Sequence, residues 1–456
     1  MATASTNGHQ NSARITVEEP DNPLHRLTEE QIEEIGREFE ALHEAVKADL
    51  GDRDARYIRS VIAMQRKLAL IGRVEMFASR WRGPWLLGAA TLGMAKILEN
   101  MEIGHNILHG QWDWMNDPVI NSRAWDWDTA SPAESWRHSH NYIHHTYTNI
   151  LGKDRDLGYE IMRVDPAQKW HPVYLAQPIY NILLMLLFEW GVATHDLNFE
   201  AIRAGEKDPK QLRKELKGIA DKARAQILKD YIAWPIISGL VMTGIETAVL
   251  GSRAAQEKAS NDPRKRARRL FRKARGQAKQ DNVLSQLIQR RSFREPFKRT
   301  LTANVTANIM RNIWSYAIIF CGHFPDQTYT FTQAETEDET KGGWYVRQLL
   351  GAANIDGGPM FHIISGNLGY QVEHHLFPDM PSTRYGEIAP KVREICVRYG
   401  LPYNSGPFSQ QLYMVQRTIA RLAFPGGKQR PKPGAYDGPL IRGKGEREAP
   451  KLSSVR

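Results

Sequence analysis

The chain has 456 residues, a formal net charge of +10 and 41% hydrophobic residues. Its mean hydropathy of −0.50 excludes a protein that faces lipid along most of its length. Residues 253–299 contain 16 Lys and Arg against 4 Asp and Glu, so this segment has a net charge of +12 and the rest of the chain is slightly acidic. The two cysteines, Cys321 and Cys396, exclude a disulfide framework and have neither zinc-site nor redox-motif spacing.

The two ends of the chain are polar. Residues 1–23 have no apolar core, so we expect a disordered tail, no signal peptide and a cytoplasmic N-terminus. The Pro/Gly-rich and charged segment 428–456 is predicted to be a second disordered tail. One domain is predicted between them, over residues 24–427.

Helical signals begin soon after the N-terminal tail. Thr28 and Gln31 fit a capping box, which opens a charged amphipathic helix that extends to about Leu50. Residues 53–82 carry apolar side chains at helical spacing but are interrupted by charges. This pattern is more typical of a helix at a membrane surface than of a spanning helix.

Four further segments are apolar enough to be membrane elements, although each contains polar residues: 84–101, 172–194, 231–251 and 301–324. They are either buried core helices of a soluble protein or membrane spans whose polar residues face a bundle interior. The basic insert, residues 251–298, separates the last two segments. We interpret it as a solvated or membrane-surface helix, because a basic segment between membrane elements more often binds anionic lipid than nucleic acid.

Seven of the 15 histidines form three clusters. The first is His105 and His109, whose four-residue spacing places both imidazoles on one face of a helix. The second and third each include adjacent histidines, and the members of these two clusters are His140, His144, His145, His374 and His375. Neutral imidazole is a preferred ligand of iron, copper, zinc and nickel. Seven nitrogens exceed the coordination number of one ion, so the clusters predict two metal ions.

Beyond these spacings, the chain resembles the membrane fatty-acid desaturases, especially the actinobacterial acyl-CoA desaturases of the stearoyl-CoA type. The resemblance rests on the strings EIGHNILHGQWDWMNDP, HNYIHHTYTNILGKDRDLGY, IIFCGHFPD and SGNLGYQVEHHLFPDMPS. It covers roughly residues 51–401, apart from the basic insert, where that family usually has a short loop. The resemblance implies an all-α, integral membrane helical desaturase fold with a cytosolic histidine-box di-iron domain.

The resemblance also implies the reaction and its participants. An oxygen-dependent fatty-acyl desaturase removes two hydrogens from a long saturated acyl chain, here carried by CoA or a lipid, and two iron ions supply the chemistry. No redox cofactor motif is visible in the sequence, so electrons are expected from a ferredoxin- or flavin-type reductase. We expect membrane lipids as further partners and no nucleic acid.

The resemblance assigns the seven clustered histidines as catalytic iron ligands and adds His323, at the end of the last apolar segment, as an eighth ligand. Residues expected to support these ligands or to position substrate are Glu102, Asp154, Asp156, Asn354, Asn367 and Gln371. The spacing of His138 from the second cluster makes it a bystander, and His362 is ambiguous. The remaining histidines are interpreted as ordinary: His9, His25, His43, His171 and His195.

A shared site requires all three clusters on one side of the membrane, so an even number of crossings separates the second cluster from the third. By resemblance, 231–251 and 301–324 form the crossing hairpin while 172–194 lies in or along the membrane. The alternative hairpin, 172–194 with 231–251, keeps the basic insert inside, as the positive-inside tendency favours. The expected location is the cytoplasmic membrane, with the active site on the cytoplasmic side.

Two other functions are compatible with the same residues. A membrane di-iron fatty-acid or alkane hydroxylase would share the metal site but form an alcohol instead of an alkene. A non-catalytic metal-binding membrane protein would bind metal without consuming oxygen or reductant.

Overall fold

A computed structural model of the protein describes residues 22–259, 290–428, 432 and 434–438. Helices dominate these residues. In chain order they are α1 (Glu29–Ala48), α2 (Asp52–Glu75), α3 (Arg82–Leu98), α4 (Asn106–Leu108), α5 (Ala133–Trp136), α6 (His145–Tyr147), α7 (Gln177–Leu186), α8 (Phe188–His195), α9 (Phe199–Ala204), α10 (Pro209–Gln226), α11 (Trp234–Ala259), α12 (Arg291–His323), α13 (Lys341–Gly351), α14 (Pro359–Ile364), α15 (Gln371–Leu376), α16 (Tyr385–Tyr399) and α17 (Phe408–Leu422).

Three π-helical segments, Glu99–His105, Arg137–His144 and Ile227–Ala233, continue or join these helices. The described residues contain one short sheet, in which β1 (Asn354–Asp356) pairs in parallel with β2 (Ser405–Pro407). Helical content therefore agrees with the all-α class expected from the sequence. The capping box is also confirmed, because Thr28 Oγ1 accepts from the Gln31 amide at 3.2 Å and the Gln31 side chain accepts from the Thr28 amide at 2.9 Å.

Helices α2, α3, α11 and α12 form a bundle in which small residues allow close approach. An added Cβ at Gly72 of α2 would lie 2.7 Å from the Leu92 side chain of α3, and one at Gly239 of α11 would lie 2.7 Å from Phe293 of α12. The Trp85 indole of α3 donates to the Arg299 carbonyl of α12 at 3.0 Å. Helices α3 and α12 consequently run in the same direction, while α2 and α11 run in the opposite direction.

The charges that interrupt the apolar segments are paired inside this bundle. Asp230, which is fully buried, accepts from Lys96 at 2.8 Å and from Arg73 at 3.3 Å. The Arg311 guanidinium forms an ion pair with Glu189. Arg73 belongs to the segment expected to lie at the membrane surface; α2 lies lengthwise against α3, and the position of α2 relative to a membrane stays a prediction. The sequence alone does not show that an acid on a distant helix neutralises this arginine.

Large apolar side chains remain exposed along the outside of the bundle: Met64, Leu70, Ile71, Val74, Leu86, Leu87, Ile236, Ile237, Leu240, Val241, Ile245, Val305 and Ile313. By length and composition, the continuous helical stretch Pro209–Leu250 is long and apolar enough to cross a membrane. Among the described residues, a second such element exists only if α7 and α8 with their preceding turn count as one span, but these halves are bent by 102°. Segments 231–251 and 301–324 pack against each other as α11 and α12, and their crossing of a membrane stays a prediction. Segment 172–194 is not a straight helix.

The remaining helices form a domain at one end of the bundle. Its core joins α1, α13, α15 and α16 through buried residues such as Phe39, Leu349, Val372 and Ile388. A few described residues at the inner edges of the predicted tails pack against the domain. Asn22 and Pro23 are buried, and Tyr436 packs against Tyr403 with ring centroids 5.6 Å apart. Most of both tails, and residues 260–289 of the basic insert, lie outside the described residues.

Candidate metal centre

The three histidine clusters come together where α3 and α12 end. His105 is the last residue of the π-helical segment that extends α3, His109 directly follows α4, and His323 is the last residue of α12. A second π-helical segment carries His140 and His144, and α15 carries His374 and His375. Turns of π-helix often occur at functional sites. The local winding was not predicted from the four-residue spacings, which were interpreted as ordinary α-helix.

Seven imidazoles form two groups, each able to hold a metal ion. The first group consists of His105, His109, His140 and His374, and one ring nitrogen from each of them lies within 4.8 Å of the other three. The same holds for the group His144, His323 and His375. The His145 ring lies between the groups, with its centroid 4.8 Å from those of His109 and His375. The structure therefore brings together all eight histidines that the sequence analysis assigned as ligands.

The inward-facing nitrogens of three imidazoles lie close to one another. The Nε2 atom of His323 lies 3.1 Å from Nε2 of His144 and 3.0 Å from Nε2 of His375. The outer Nδ1 atoms of these three rings face acceptors: the Asp154 carboxylate, the Ile319 carbonyl and the Gln348 side-chain oxygen. In its neutral form, each ring that donates from Nδ1 presents a lone pair at Nε2. Three converging lone pairs repel one another unless a metal ion or a proton lies between them.

The four-histidine group repeats this arrangement. His105 Nδ1 faces the Asn106 side-chain oxygen at 2.9 Å, and His140 Nδ1 faces Asp156 at 3.1 Å. His374 Nδ1 faces the Tyr385 hydroxyl at 3.1 Å, and that hydroxyl donates to the Phe377 carbonyl. Within the described residues, buried Nε2 atoms of His109, His140, His145 and His374 make no hydrogen bond. This set of buried, unpaired imidazole nitrogens fits two metal ions.

Burial keeps most of these rings neutral, which is the form that binds metal. It lowers the pKa of His109, His145, His374 and His375 well below the ordinary value, and neighbouring imidazoles lower it further. His144 is the exception. Burial lowers its pKa, but the negative charges of Asp154 and Asp156 outweigh burial and raise the pKa above its ordinary value. Asp154 thus makes His144 the most basic donor of its group.

Four of the expected supporting residues have defined hydrogen-bond contacts, and only one of them faces a clustered imidazole. The Gln371 amide nitrogen lies 3.4 Å from His323 Nε2, so this side chain faces the metal groups directly. Asn354 instead donates to Glu373 at 2.9 Å and accepts from the Val372 amide at 2.8 Å. Asn367 and Glu102 contact each other at 3.0 Å. Neither Asn354 nor Glu102 contacts a clustered imidazole through its side chain in these hydrogen bonds.

Among the other histidines, His195 was wrongly interpreted as ordinary. Its Nε2 lies 3.0 Å from the Asp156 oxygen that does not contact His140, so His195 supports the carboxylate that orients a clustered imidazole. No spacing signal links position 195 to position 140, because α8 reaches the site through the fold. His138 is exposed and stacks on Tyr142 with ring centroids 5.8 Å apart, which agrees with its assignment as a bystander. His362 stacks on Tyr370 with ring centroids 4.0 Å apart.

A cavity adjoins the histidines and has mainly apolar and aromatic walls. Its lining includes His105, His140, His323 and Gln371 on one side. The apolar walls come from Met101, Trp127, Trp136, Tyr159, Phe188, Val192, Ile319, Phe324 and Leu368. The Trp136 ring stacks on His140 with centroids 4.6 Å apart. Polar side chains, among them Asp156, Glu189 and Asp196, complete the lining, and the cavity has a volume of about 60 Å³. It therefore provides a small, partly apolar space beside both imidazole groups.

Comparison with known proteins agrees with this site. The family model described as fatty acid desaturase matches residues 81–250 and 300–407, a match that skips the basic insert. The chain is 42% identical over 399 residues to the NADPH-dependent stearoyl-CoA 9-desaturase of Mycobacterium tuberculosis, covering 88% of this chain and 82% of that protein. It is 23% identical over 338 residues to the sn-1 linoleoyl-lipid 6-desaturase of Synechocystis, covering 71% and 76%.

A shorter match, 34% identical over 87 residues, is to human fatty acid desaturase 3, covering 19% of this chain and 20% of that protein. No solved structure matches the chain. The family match covers more than half of the residues, and the mycobacterial relative is similar along most of both chains. The chain therefore belongs to the fatty acid desaturase family and is a fatty acid desaturase.

Proposed function

We propose that this desaturase introduces a double bond at carbon 9 of a long-chain acyl-CoA of the stearoyl type, using two iron ions held by the eight clustered imidazoles. This proposal rests on one observation: buried imidazole Nε2 atoms converge beside a partly apolar cavity. The acyl carrier and the bond position are those in the name of the mycobacterial relative. Bound iron would supply oxygen activation, which removes hydrogen from an unactivated C–H bond.

The protein positions the metal ions and the acyl chain, and it excludes water from them. One group of imidazoles would hold one ion through His105, His109, His140 and His374, and the other group would hold the second through His144, His323 and His375. His145 lies between the groups, where it can bind either ion. Trp136 and Ile319 form part of the apolar wall beside these residues, so they would hold the acyl chain next to the metals in a fixed register.

The reaction consumes one O2, two electrons and two protons for each double bond and releases two waters. The sequence has no visible dinucleotide fold of its own, so we propose a separate ferredoxin- or flavin-type reductase. NADPH is the proposed ultimate donor, because the mycobacterial relative is named as NADPH-dependent. The proposed location is the cytoplasmic membrane, with the hairpin of α11 and α12 crossing it and the histidines on the cytoplasmic side.

The test combines metal analysis with product analysis on detergent-purified full-length protein. We expect about two irons per chain and, with stearoyl-CoA, O2, NADPH and a reductase, an 18-carbon product unsaturated at carbon 9. Gas chromatography with mass spectrometry of a double-bond derivative locates the bond. Protein containing one zinc and no iron would refute the metal assignment. A product with the double bond elsewhere would refute the proposed position.

A further inference from the structure

The bundle end opposite the histidines is basic. Within α12, Arg299 precedes His323 by 24 positions, so the two residues lie about 36 Å apart at 1.5 Å per residue. The basic side chains at this end come from the α2–α3 connection and the start of α12: Arg80, Arg82, Arg291, Arg294, Lys298 and Arg299. Neither the metal groups nor the apolar cavity uses these residues.

Two clefts meet at Arg299. The first has a volume of about 470 Å³ and combines Arg80, Arg291 and Arg299 with apolar side chains that include Met242 and Ile245. The second has a volume of about 350 Å³ and is lined by Arg82, Trp85, Leu86, Arg299 and Thr302. Each cleft therefore has a cationic end and an apolar wall, and the two share one guanidinium.

The Arg299 side chain is held in place. Its guanidinium donates to the Ser79 carbonyl at 2.7 Å, and its Nε lies 3.9 Å from Glu295. A guanidinium has five N–H donors, so donors remain for a ligand. Arginine binds phosphate through two parallel hydrogen bonds. Glu246 and Glu295 also line the first cleft, and three arginines outnumber these two acids.

The surroundings resemble a membrane interface. Trp81 is 63% exposed directly beside Arg80 and Arg82, and Leu86 and Leu87 are exposed one turn further along α3. Tryptophan is enriched at the headgroup level of membranes. In the proposed orientation this end of the bundle lies at the outer leaflet, where its arginines can bind the phosphate of a lipid headgroup directly. A ligand with one phosphate and two apolar chains matches the charge and the two apolar walls.

We propose that these paired clefts bind one anionic phospholipid, with its phosphate at Arg299 and one acyl chain in each cleft. The site is distinct from the substrate cavity, since it lies at the other end of the bundle. Such a lipid would fill the space between the α2–α3 connection and the α11–α12 hairpin. It would stabilise the packing of the two hairpins by binding only the folded bundle.

The test is native mass spectrometry of full-length protein released from nanodiscs of phosphatidylcholine mixed equally with phosphatidylglycerol. We expect one retained phosphatidylglycerol per chain. Arg80→Gln/Arg299→Gln should lower its retention about tenfold. Met242→Trp/Ile245→Trp keeps every charge but fills the apolar wall of the first cleft, and it should lower retention similarly. Lys210→Gln/Arg213→Gln removes two exposed charges from α10, at the histidine end, and should leave retention unchanged.

The variants also separate the alternatives. If the arginine variant and the α10 variant lose phosphatidylglycerol retention equally, the lipid is attracted diffusely to basic surfaces and the proposal is overturned. Retention unaffected by the tryptophan variant, with inorganic phosphate binding measurable by calorimetry, would show an anion site without acyl chains and would also overturn it. Desaturase activity and monodispersity identify variants that have misfolded. If the arginine variant misfolds, the tryptophan variant alone decides the outcome.

Discussion

Asp154→Asn should weaken the metal group formed by His144, His323 and His375. The Asp154 carboxylate is fully buried and accepts from His144 Nδ1 at 3.0 and 3.1 Å. It also accepts from the amides of Asn149 at 2.7 Å and Asp156 at 2.9 Å. An asparagine carries a donor NH2 in place of one acceptor oxygen. The substitution therefore removes the charge that makes His144 basic. It also places the asparagine NH2 opposite the Nδ1–H of His144, so that two hydrogen-bond donors face each other.

Loss of a partner that orients a metal ligand typically costs 10–100-fold in metal affinity or activity. This corresponds to about 1.4–2.7 kcal/mol, within the range of about 1.5–3 kcal/mol for a hydrogen bond to a charged group. We expect wild-type protein to keep about two irons after dialysis against a mild chelator and Asp154→Asn to keep about one. Its rate of double-bond formation should fall at least tenfold.

The assay measures the iron-to-protein ratio by elemental mass spectrometry and the amount of unsaturated product by chromatography. The matched control is Asp54→Asn, which changes a buried acid that binds Arg384 at 2.7 Å, away from the imidazoles. It should lower stability but leave the iron ratio unchanged. An Asp154→Asn protein with two irons after dialysis and a normal rate would refute the role assigned to Asp154.

Four further outcomes are expected. His323→Ala should lower bound iron from about two towards one and abolish product, and unchanged iron would remove His323 from the ligand set. His138→Ala should retain metal and activity, and loss of both would contradict its assignment as a bystander. Gly342→Ala places a Cβ 2.3 Å from the Ile32 carbonyl, so overpacking should destabilise the fold by about 1–3 kcal/mol, seen as a lower melting temperature in detergent. Replacing residues 260–289 by a glycine–serine linker should leave the double-bond position unchanged, because the segment contains no histidine, and a shifted bond would place it at the active site.

The sequence predicted the clustered histidines because their spacings repeat along the chain and because imidazole chemistry implies metal. It also located the apolar segments and the capping box at Thr28. It did not reveal His195 or Gln348, whose contacts with the site depend on how distant helices pack. Arg73 could not be paired from sequence for the same reason: its partner Asp230 is 157 positions away. The bend between α7 and α8 was not predicted either, because the sequence there is continuously apolar.

The π-helical winding has a consequence for how this enzyme can change. A hydrogen bond that spans five residues instead of four places one more residue in the turn than an α-helix has. Deleting a single residue within 99–105 would let the turn return to α-helical winding, and the helix after it would keep its direction because the wide turn already holds the extra residue. Both histidines of the first cluster would then continue to face their partners. A one-residue deletion here should thus retain bound iron, whereas a one-residue deletion between His105 and His109 would turn one imidazole by about 100° relative to the other and should lower bound iron.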